Sequence, residues 1–404
     1  MVSQKSNPSH GFGTLILAAF SIFGMALVII RWLTGLGATT ALTDDRGWGI
    51  WIGFDVLCGI ALAAGAFTIA ATVYIFQMKQ FYPILRPTVL TALIGYGLAA
   101  FSIAIDLGFP HRIWHMIIHW NFHSPLFEVG CCVMAYSTVL ALELSPIVFE
   151  RFNLKAPLRL IRSITIPLVI VGVILSTMHQ SSLGTLFILM PYRVHPLWYS
   201  GILPVLFLVS AISAGLSMVI VESSLSSSGL KHPLELGLLG KIARAIPYIL
   251  GLYLVLRVID IFVTGKSGYL FSEGYYSVLF WSEMIIGVIL PIILFSLPDV
   301  RKKRYRLLST AILVIGGFVL NRFNISLIAF NAGSYAPTWQ ELFITIGMIA
   351  MGALAFTLIS RYLPVFSEQD EIKSTQEAIE TEERIRVDKG IPISQPVYQI
   401  DMTD

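Results

Sequence analysis

The chain has 404 residues, of which 56% are hydrophobic and only 13% charged, and its mean hydropathy is +0.78. That balance excludes an ordinary soluble globular protein, and a net charge of +3 is too small to indicate a nucleic-acid partner. Apolar runs of about 20 residues, the length that crosses a hydrocarbon core of roughly 30 Å, recur along nearly the whole chain. They are continuous rather than alternating, so they read as helices and not as the strands of a barrel.

In chain order the spans are predicted at 12–34, 50–78, 88–108, 123–149, 163–181, 199–227, 240–263, 276–298, 307–330 and 338–365. The expected fold is an all-α integral membrane bundle of ten transmembrane helices. The N-terminus, MVSQKSNPSHGFG, lacks an Arg pair and leads into a run long enough to span, so no cleaved signal peptide is expected. An even number of spans puts both termini on one side, and the loops decide which. Connections after even-numbered spans carry Lys79, Arg86, Arg151, Lys155, Arg159, Arg162, Lys231, Lys241, Arg244, Arg301, Lys302, Lys303, Arg304 and Arg306. Odd-numbered connections hold only Arg31, Arg46, Arg112, Arg193 and Lys266. Lys and Arg accumulate on the cytoplasmic side, so both termini are expected there. Residues 1–366 then form one membrane domain, and the polar, acid-rich segment 367–404 is expected to be a flexible cytoplasmic tail. Cys58, Cys131 and Cys132 lie inside apolar runs and form no CxxC or longer cluster pattern, so neither an iron–sulfur cluster nor a structural zinc is expected in this chain.

Ionisable groups inside spans are costly and usually mark a pathway or a site. Near the outer face the prediction places Asp55, Asp106, Glu128, His179, Arg257, Asp260, Glu283 and Arg322; near the inner face it places Glu143 and Glu222, with Tyr96 between that face and the middle. Some of these are expected to pair: Arg257 with Asp260, three residues on, and Arg322 with Glu283. Asp55 and Asp106 sit near water and could act as helix caps. Glu128, Glu222 and His179 have no cation nearby in sequence.

The stretch from Asp106 to Glu128, DLGFPHRIWHMIIHWNFHSPLFE, joins spans 3 and 4 and holds four histidines. His111, His115 and His119 are four apart and would share one face of a helix lying on the membrane. No further ligands converge on that face, so no metal is expected there. The outer loops GWGIWIGF, HRIWHMIIHWNFH, PYRVHPLWY and SYAPTW read as an interfacial aromatic belt, or as a platform for a flat ring or a docked subunit. A b-type haem needs facing histidines well inside the bilayer, and only His179 is near such a position.

The segments GWGIWIGFD from Gly47, GYGLAAFSIAIDLG from Gly95, HWNFHSPLFE from His119, ALELSP from Ala141, TMHQSSLGTLF from Thr177, HPLW from His195, VESSL from Val221, YYSVLFW from Tyr275 and PTWQELFITIG from Pro337 follow one another through nearly all the spans. Together they resemble the HybB-like branch of the NrfD and polysulfide-reductase membrane-anchor superfamily, the branch of [NiFe]-hydrogenase 2 membrane subunits. The resemblance implies a quinone-reactive anchor without haem. It also implies a periplasmic ferredoxin-like iron–sulfur subunit, here with [NiFe] hydrogenase small and large subunits behind it. By motif, Tyr96, Glu128, His179 and Glu222 match positions tied to quinone or proton chemistry, and Asp106 matches the acid at the outer end of span 3; His119 falls within a matched segment, whereas His111 and His115 match none.

The expectation is therefore a menaquinone docked in the outer half near Asp106, His119, Glu128 and His179, in the inner membrane of a bacterium. Protons would travel from the cytoplasm through Glu222 or Glu143, past Tyr96, to Glu128. The same anchor in a polysulfide, tetrathionate or multihaem cytochrome complex is the nearest alternative. A secondary transporter would instead centre its polar layer on the midplane, between broken helices of two halves.

Overall fold

The structure is a computed structural model and describes residues 8–230, 234–331 and 335–366. The expected tail at 367–404 and Lys231 lie outside the described residues. Among the described residues, ten helices are long and apolar enough to cross a membrane: α1 (Phe12–Thr34), α2 (Trp51–Ile75), α3 (Lys79–Asp106), α4 (Pro125–Arg151), α5 (Lys155–Ile188), α6 (Leu203–Gly229), α7 (Leu236–Val263), α8 (Tyr275–Ser296), α9 (Arg304–Ile328) and α10 (Trp339–Tyr362). Among the described residues, β structure is limited to two isolated bridges, Thr43 with Arg46 and Val194 with Phe330. The ten spans follow the predicted order, while two boundaries move. α5 has 34 residues instead of the predicted core 163–181, about 50 Å of helix at 1.5 Å per residue. α3 starts before Pro87, which the helix carries inside it. Hydropathy marks where hydrocarbon begins, and a helix continues past that line wherever its polar flank still closes backbone hydrogen bonds.

Local chemistry fixes several ends. Ser124 accepts from Phe127 N at 3.4 Å ahead of Pro125, which opens α4. Thr338 and Glu341 form a reciprocal capping box at the start of α10.

Neighbours in sequence pack side by side from α2 through α9, and α6 also meets α2 and α9; α1 packs against α10. The centre belongs to α2 and α6, whose apolar windows are 72% and 67% buried, against 17% for α1 and α5. Two glycine pairs permit backbone-to-backbone approach. A Cβ on Gly215 would lie 2.3 Å from Gly65 N, and one on Gly317 would lie 2.0 Å from Gly287 Cα, so α2 with α6 and α8 with α9 close to distances that no side chain allows. Widened π turns interrupt α2 at Trp51–Val56 and Ala71–Ile75, α8 at Ile285–Ile289 and α9 at Asn324–Ile328. Asp55 and Asn324 lie in two of these turns, and Glu283 stands two residues before a third.

The connection between α3 and α4 does not form one amphipathic helix. It consists of a 3-10 turn at Pro110–Arg112 and a single helical turn at His115–Ile118. His115 and His119 remain neighbours, with ring centroids 5.3 Å apart, but His111 packs on Phe109 instead. The shared face of three histidines is thus corrected: Pro110 and two short turns break the 3.6-residue period that such a face requires. The aromatic belt is corrected in part as well. Trp114, Trp120, Trp339 and Tyr192 are exposed, but Trp51 and Trp198 are fully buried.

Candidate functional site

The odd-numbered connections gather at one end of the bundle, called here the odd-loop end; the opposite end is the even-loop end. Polar side chains inside the helices fall into separate groups between the two.

The first group is built on α3, α4 and α5. Glu128, one turn into α4, has its Oε1 2.7 Å from the Ser182 hydroxyl of α5. One turn back along α5, His179 is completely buried, with the Val129 backbone as its one polar neighbour and neither ring nitrogen in a regular hydrogen bond. The Tyr96 ring of α3 stands 5.7 Å from the imidazole and 4.7 Å from the ring of Tyr136. The Tyr96 and Ser176 hydroxyls are buried close to one another, neither in a regular hydrogen bond, while Gln180 is tied to Ile60 O at 3.0 Å. Buried polar groups are nearly always satisfied. An imidazole this weakly bonded, one turn from the Ser182 that holds Glu128, can bond a ligand carbonyl or pass a proton.

A second group lies at the odd-loop end among α1, α3 and α10. Arg31 is buried, donates to Leu107 O at 2.5 Å, and is the cation nearest Asp106. Asp106 thus sits with Arg31 and Glu341, whereas Glu128 sits with Ser182; no direct contact joins the two carboxylates. Asp55 accepts from Thr345 of α10 at 3.0 Å, so it ties two helices together and is no cap. Glu341, fully buried, accepts from Ala41 N at 3.0 Å, Thr338 N at 2.8 Å and the Tyr335 hydroxyl at 2.6 Å. Burial, and after it the bond to Glu341, hold the Tyr335 phenol well above its usual range, which keeps it a donor. Arg46 stacks over the Tyr335 ring at 5.2 Å and donates to Leu327 O and Phe330 O.

The third group joins α6 to α9. Glu283 accepts from Trp198 Nε1 at 2.9 Å, Asn321 Nδ2 at 2.9 Å and Asn324 Nδ2 at 2.7 Å. Arg257 and Asp260 pair at 3.8 Å as expected, and Ser200 donates to Asp260 at 2.7 Å. Arg322 does not pair with Glu283. Its guanidinium donates to Asn321 Oδ1 at 2.6 Å and Ser210 Oγ at 2.8 Å, and it lies over the rings of Phe207 and Phe318 at 3.6 and 4.4 Å. Asn321 therefore stands between the two charges, and cation–π contact replaces the expected ion pair. Arg257 Nε, Arg322 Nε and Asn324 Oδ1 are buried without a hydrogen-bond partner, but the Glu283 carboxylate is bonded through both oxygens, and the group ties α6 to α9 as a clasp.

Toward the even-loop end, Glu143 lines a cavity of about 350 Å³ enclosed by α2, α3, α4 and α5. Glu222 accepts from Ser226 Oγ at 3.0 Å beside a void of only about 10 Å³. Of the expected quinone-binding residues, the structure brings Glu128 and His179 together, with Tyr96 beside them. His119 is exposed on the α3–α4 connection next to His115.

Among the described residues, the histidines do not form an axial haem pair. His179 lies against Tyr96 and the Val129 backbone, His111, His115, His119 and His123 sit on a surface connection, and His195 lies against Glu273 and Tyr276. Nor do three of His, Cys, Asp and Glu converge as metal ligands among the described residues.

Sequence reasoning missed Glu341, Tyr335, Tyr136 and Ser176, and it took Arg31 and Arg46 for loop charges. The Thr338-x-x-Glu341 spacing is a capping-box pattern that pointed to Glu341. Tyr136 stands eight residues after Glu128 and seven before Glu143, on one helical face.

Ten membrane-length helices enclosing a buried, partly unsatisfied polar site define a polytopic helical membrane protein. The chain matches the family "Polysulphide reductase, NrfD" over residues 39–331, and it belongs to that family. It is 38% identical over 376 residues to a protein of Nitratidesulfovibrio vulgaris, covering 89% of this chain and 96% of that one. The probable Ni/Fe-hydrogenase 2 b-type cytochrome subunit of Escherichia coli is 36% identical over 371 residues, covering 89% and 92%. The menaquinone reductase integral membrane subunit of Nitratidesulfovibrio vulgaris is 29% identical over 374 residues, covering 84% and 87%.

Proposed function

We propose that this chain is the quinone-reactive membrane subunit of a respiratory redox complex in a bacterial inner membrane. A periplasmic ferredoxin-like iron–sulfur subunit delivers electrons taken from hydrogen by [NiFe] hydrogenase small and large subunits, and menaquinone receives them. The observation that carries this reading is His179, buried with neither ring nitrogen in a regular hydrogen bond and one turn from the Ser182 that holds Glu128. Similarity to the Escherichia coli hydrogenase subunit and to the menaquinone reductase subunit supports the same class of partner and acceptor.

A quinone becomes a quinol by taking two electrons and two protons. Oxidation of one hydrogen molecule outside supplies the two electrons, and the two protons it releases stay outside. The two protons for the quinone come from the cytoplasm, so each turnover moves charge across the membrane. In this reading His179 bonds one carbonyl of the quinone and Glu128 supplies a proton at that end, held in place by Ser182. Asp106 and His119 would form the outer rim. Phe109, Trp114, Trp120 and Phe122, exposed on the α3–α4 connection, offer the iron–sulfur subunit an apolar landing surface. The odd-loop end faces the periplasm, as the distribution of Lys and Arg supports. In this reading the chain works without haem, which the absence of a facing histidine pair among the described residues supports.

Glu128→Gln and His179→Ala in the intact complex test this. Each should lower hydrogen-dependent menaquinone reduction at least tenfold while the subunits still copurify. Full activity in both variants would reduce the chain to a passive anchor.

A further inference from the structure

The even-loop end carries a charge pattern that the quinone reading does not use. Residues 234–244 and 297–306 hold seven cations against two carboxylates, Glu235 and Asp299. The backbone fixes where those cations stand. α8 stops at Ser296, Leu297 is extended, Pro298–Lys302 form a short helix, Lys303 is extended again, and α9 starts at Arg304. Val300 of the short helix is buried, and the helix packs on α7. Gly240 permits that approach, because a Cβ there would lie 3.2 Å from Arg301 O. The first turns of α7 and the α8–α9 connection therefore form one basic edge. Two of its cations are tied inward: Arg304 donates to Ser224 O at 2.7 Å and to the Ser228 hydroxyl of α6, and Lys241 donates to Gln80. The other five, Arg244, Arg301, Lys302, Lys303 and Arg306, meet no carboxylate among the described residues.

Elsewhere at this end the charges are better balanced: Arg86 of α3 and Arg162 of α5 share Glu150 at 2.9 and 3.2 Å. The general excess of Lys and Arg on one side of a membrane protein accounts for the sign of the basic edge. It does not account for five cations held together without a counter-charge, where each repels the others. Such an edge calls for an anionic partner. Beyond the charges, the surface changes in the order in which a lipid does. On α7, Arg244, Tyr248, Leu252, Val255 and Ile259 recur at three or four residues and are all exposed. They form one outward stripe that runs from cation through phenol to hydrocarbon. On α8, whose last turns pack on α7, Leu290, Ile293 and Leu297 are exposed on the approach to Arg301 and Lys302. Tyr248 and Tyr305 are 77% and 81% exposed beside the cations, where amphipathic rings meet headgroups. An acidic protein segment would answer the charges alone, whereas a phospholipid answers charge, phenol and hydrocarbon together.

We propose that the edge formed by α7, α8 and the α8–α9 connection is a binding site for an anionic phospholipid in the leaflet at the even-loop end. Arg244, Arg301, Lys302 and Lys303 hold its phosphate, arginine through paired N–H donors and lysine as a point charge. The glycerol lies beside Tyr248, and the acyl chains follow Leu252 and Val255 on α7 and Ile293 on α8. This site is independent of the quinone reading.

The purified complex in a neutral detergent, titrated with lipid and followed by native mass spectrometry, tests the site. Wild type should retain phosphatidylglycerol and diphosphatidylglycerol at least tenfold more strongly than phosphatidylethanolamine with the same chains. Arg244→Gln, Lys302→Gln and Lys303→Gln combined should reduce that preference to within twofold, while Arg244→Lys, Lys302→Arg and Lys303→Arg combined should keep it. Arg151→Gln, Lys155→Gln and Arg159→Gln remove as much charge from the α4–α5 connection and should leave the preference unchanged. A wild type that holds all three lipids alike, or a preference that survives the first combination, would overturn the proposal. So would displacement of the lipid by an equal concentration of inorganic phosphate, which would make this a free-phosphate site. A tenfold gain in lipid retention on removal of the acid-rich residues 367–404 would overturn it as well, by giving the edge to that segment.

Discussion

At the scale of single residues, the membrane interior turns each polar atom into either a bonded partner or a functional group. Glu283 is the bonded kind. Its two oxygens take three donors, from Trp198, Asn321 and Asn324, so Glu283→Ala should strand buried N–H groups and cost about 3 kcal/mol or more. Thermal unfolding in detergent would show it as a large loss of stability, and a midpoint within a degree of wild type would contradict the clasp. His195 offers a test by pH. Its Nδ1 accepts from Leu197 N at 3.2 Å, and Nε2 lies 3.5 Å from Glu273. Burial pulls its pKa below the usual value of about 6.5, and the opposing pull of Glu273 is smaller. The unfolded chain therefore takes up this proton first as pH falls, and the folded state loses stability below about pH 6.5. His195→Gln should flatten that slope; parallel curves for the two proteins between pH 7.5 and 5.5 would refute it. Which residues carry charge was legible from the chain, because Asp, Glu, His and Arg stand out in apolar runs. Which of them meet was not: Arg322 was expected on Glu283, but Asn321 and two phenyl rings intervene through contacts far apart in sequence.

At the scale of elements, hydropathy revealed all ten spans because a lipid core demands long apolar helices. It could not reveal that α5 extends to Lys155 and Ile188, nor that π turns would reset α2, α8 and α9. Helix faces were half legible. Glu128, Tyr136 and Glu143 lie at helical spacing in the sequence, yet only the packing of α3 sets the Tyr96 ring between Tyr136 and His179. Close packing gives a further prediction. Because a Cβ on Gly317 would meet Gly287 Cα at 2.0 Å, Gly317→Ala should force α8 and α9 apart and cost about 1–3 kcal/mol. The matching measurement is again thermal unfolding, and a stability equal to wild type would contradict the observed approach of the two backbones.

For the whole molecule, the clasp of α6 to α9 and the Glu341 hub each centre on a carboxylate bonded through both oxygens, while α3, α4 and α5 bring together His179, Tyr96 and Ser176, none of them in a regular hydrogen bond. In the proposed function that last group hosts the chemistry, with electrons arriving at the odd-loop end. Orientation follows as a prediction at this scale. Tyr192→Cys should be labelled by an impermeant thiol reagent only from the periplasm, and Lys303→Cys only from the cytoplasm; the reverse pattern would invert the account. The central claim, that quinone sits against Glu128 and His179, is tested most directly by a photoreactive menaquinone analogue irradiated in the intact complex, with the labelled peptides sequenced. The account predicts adducts on α4 near Glu128 and on α5 near His179, competed away by menaquinone. Adducts confined to the Glu283 clasp or the Glu341 hub would contradict it.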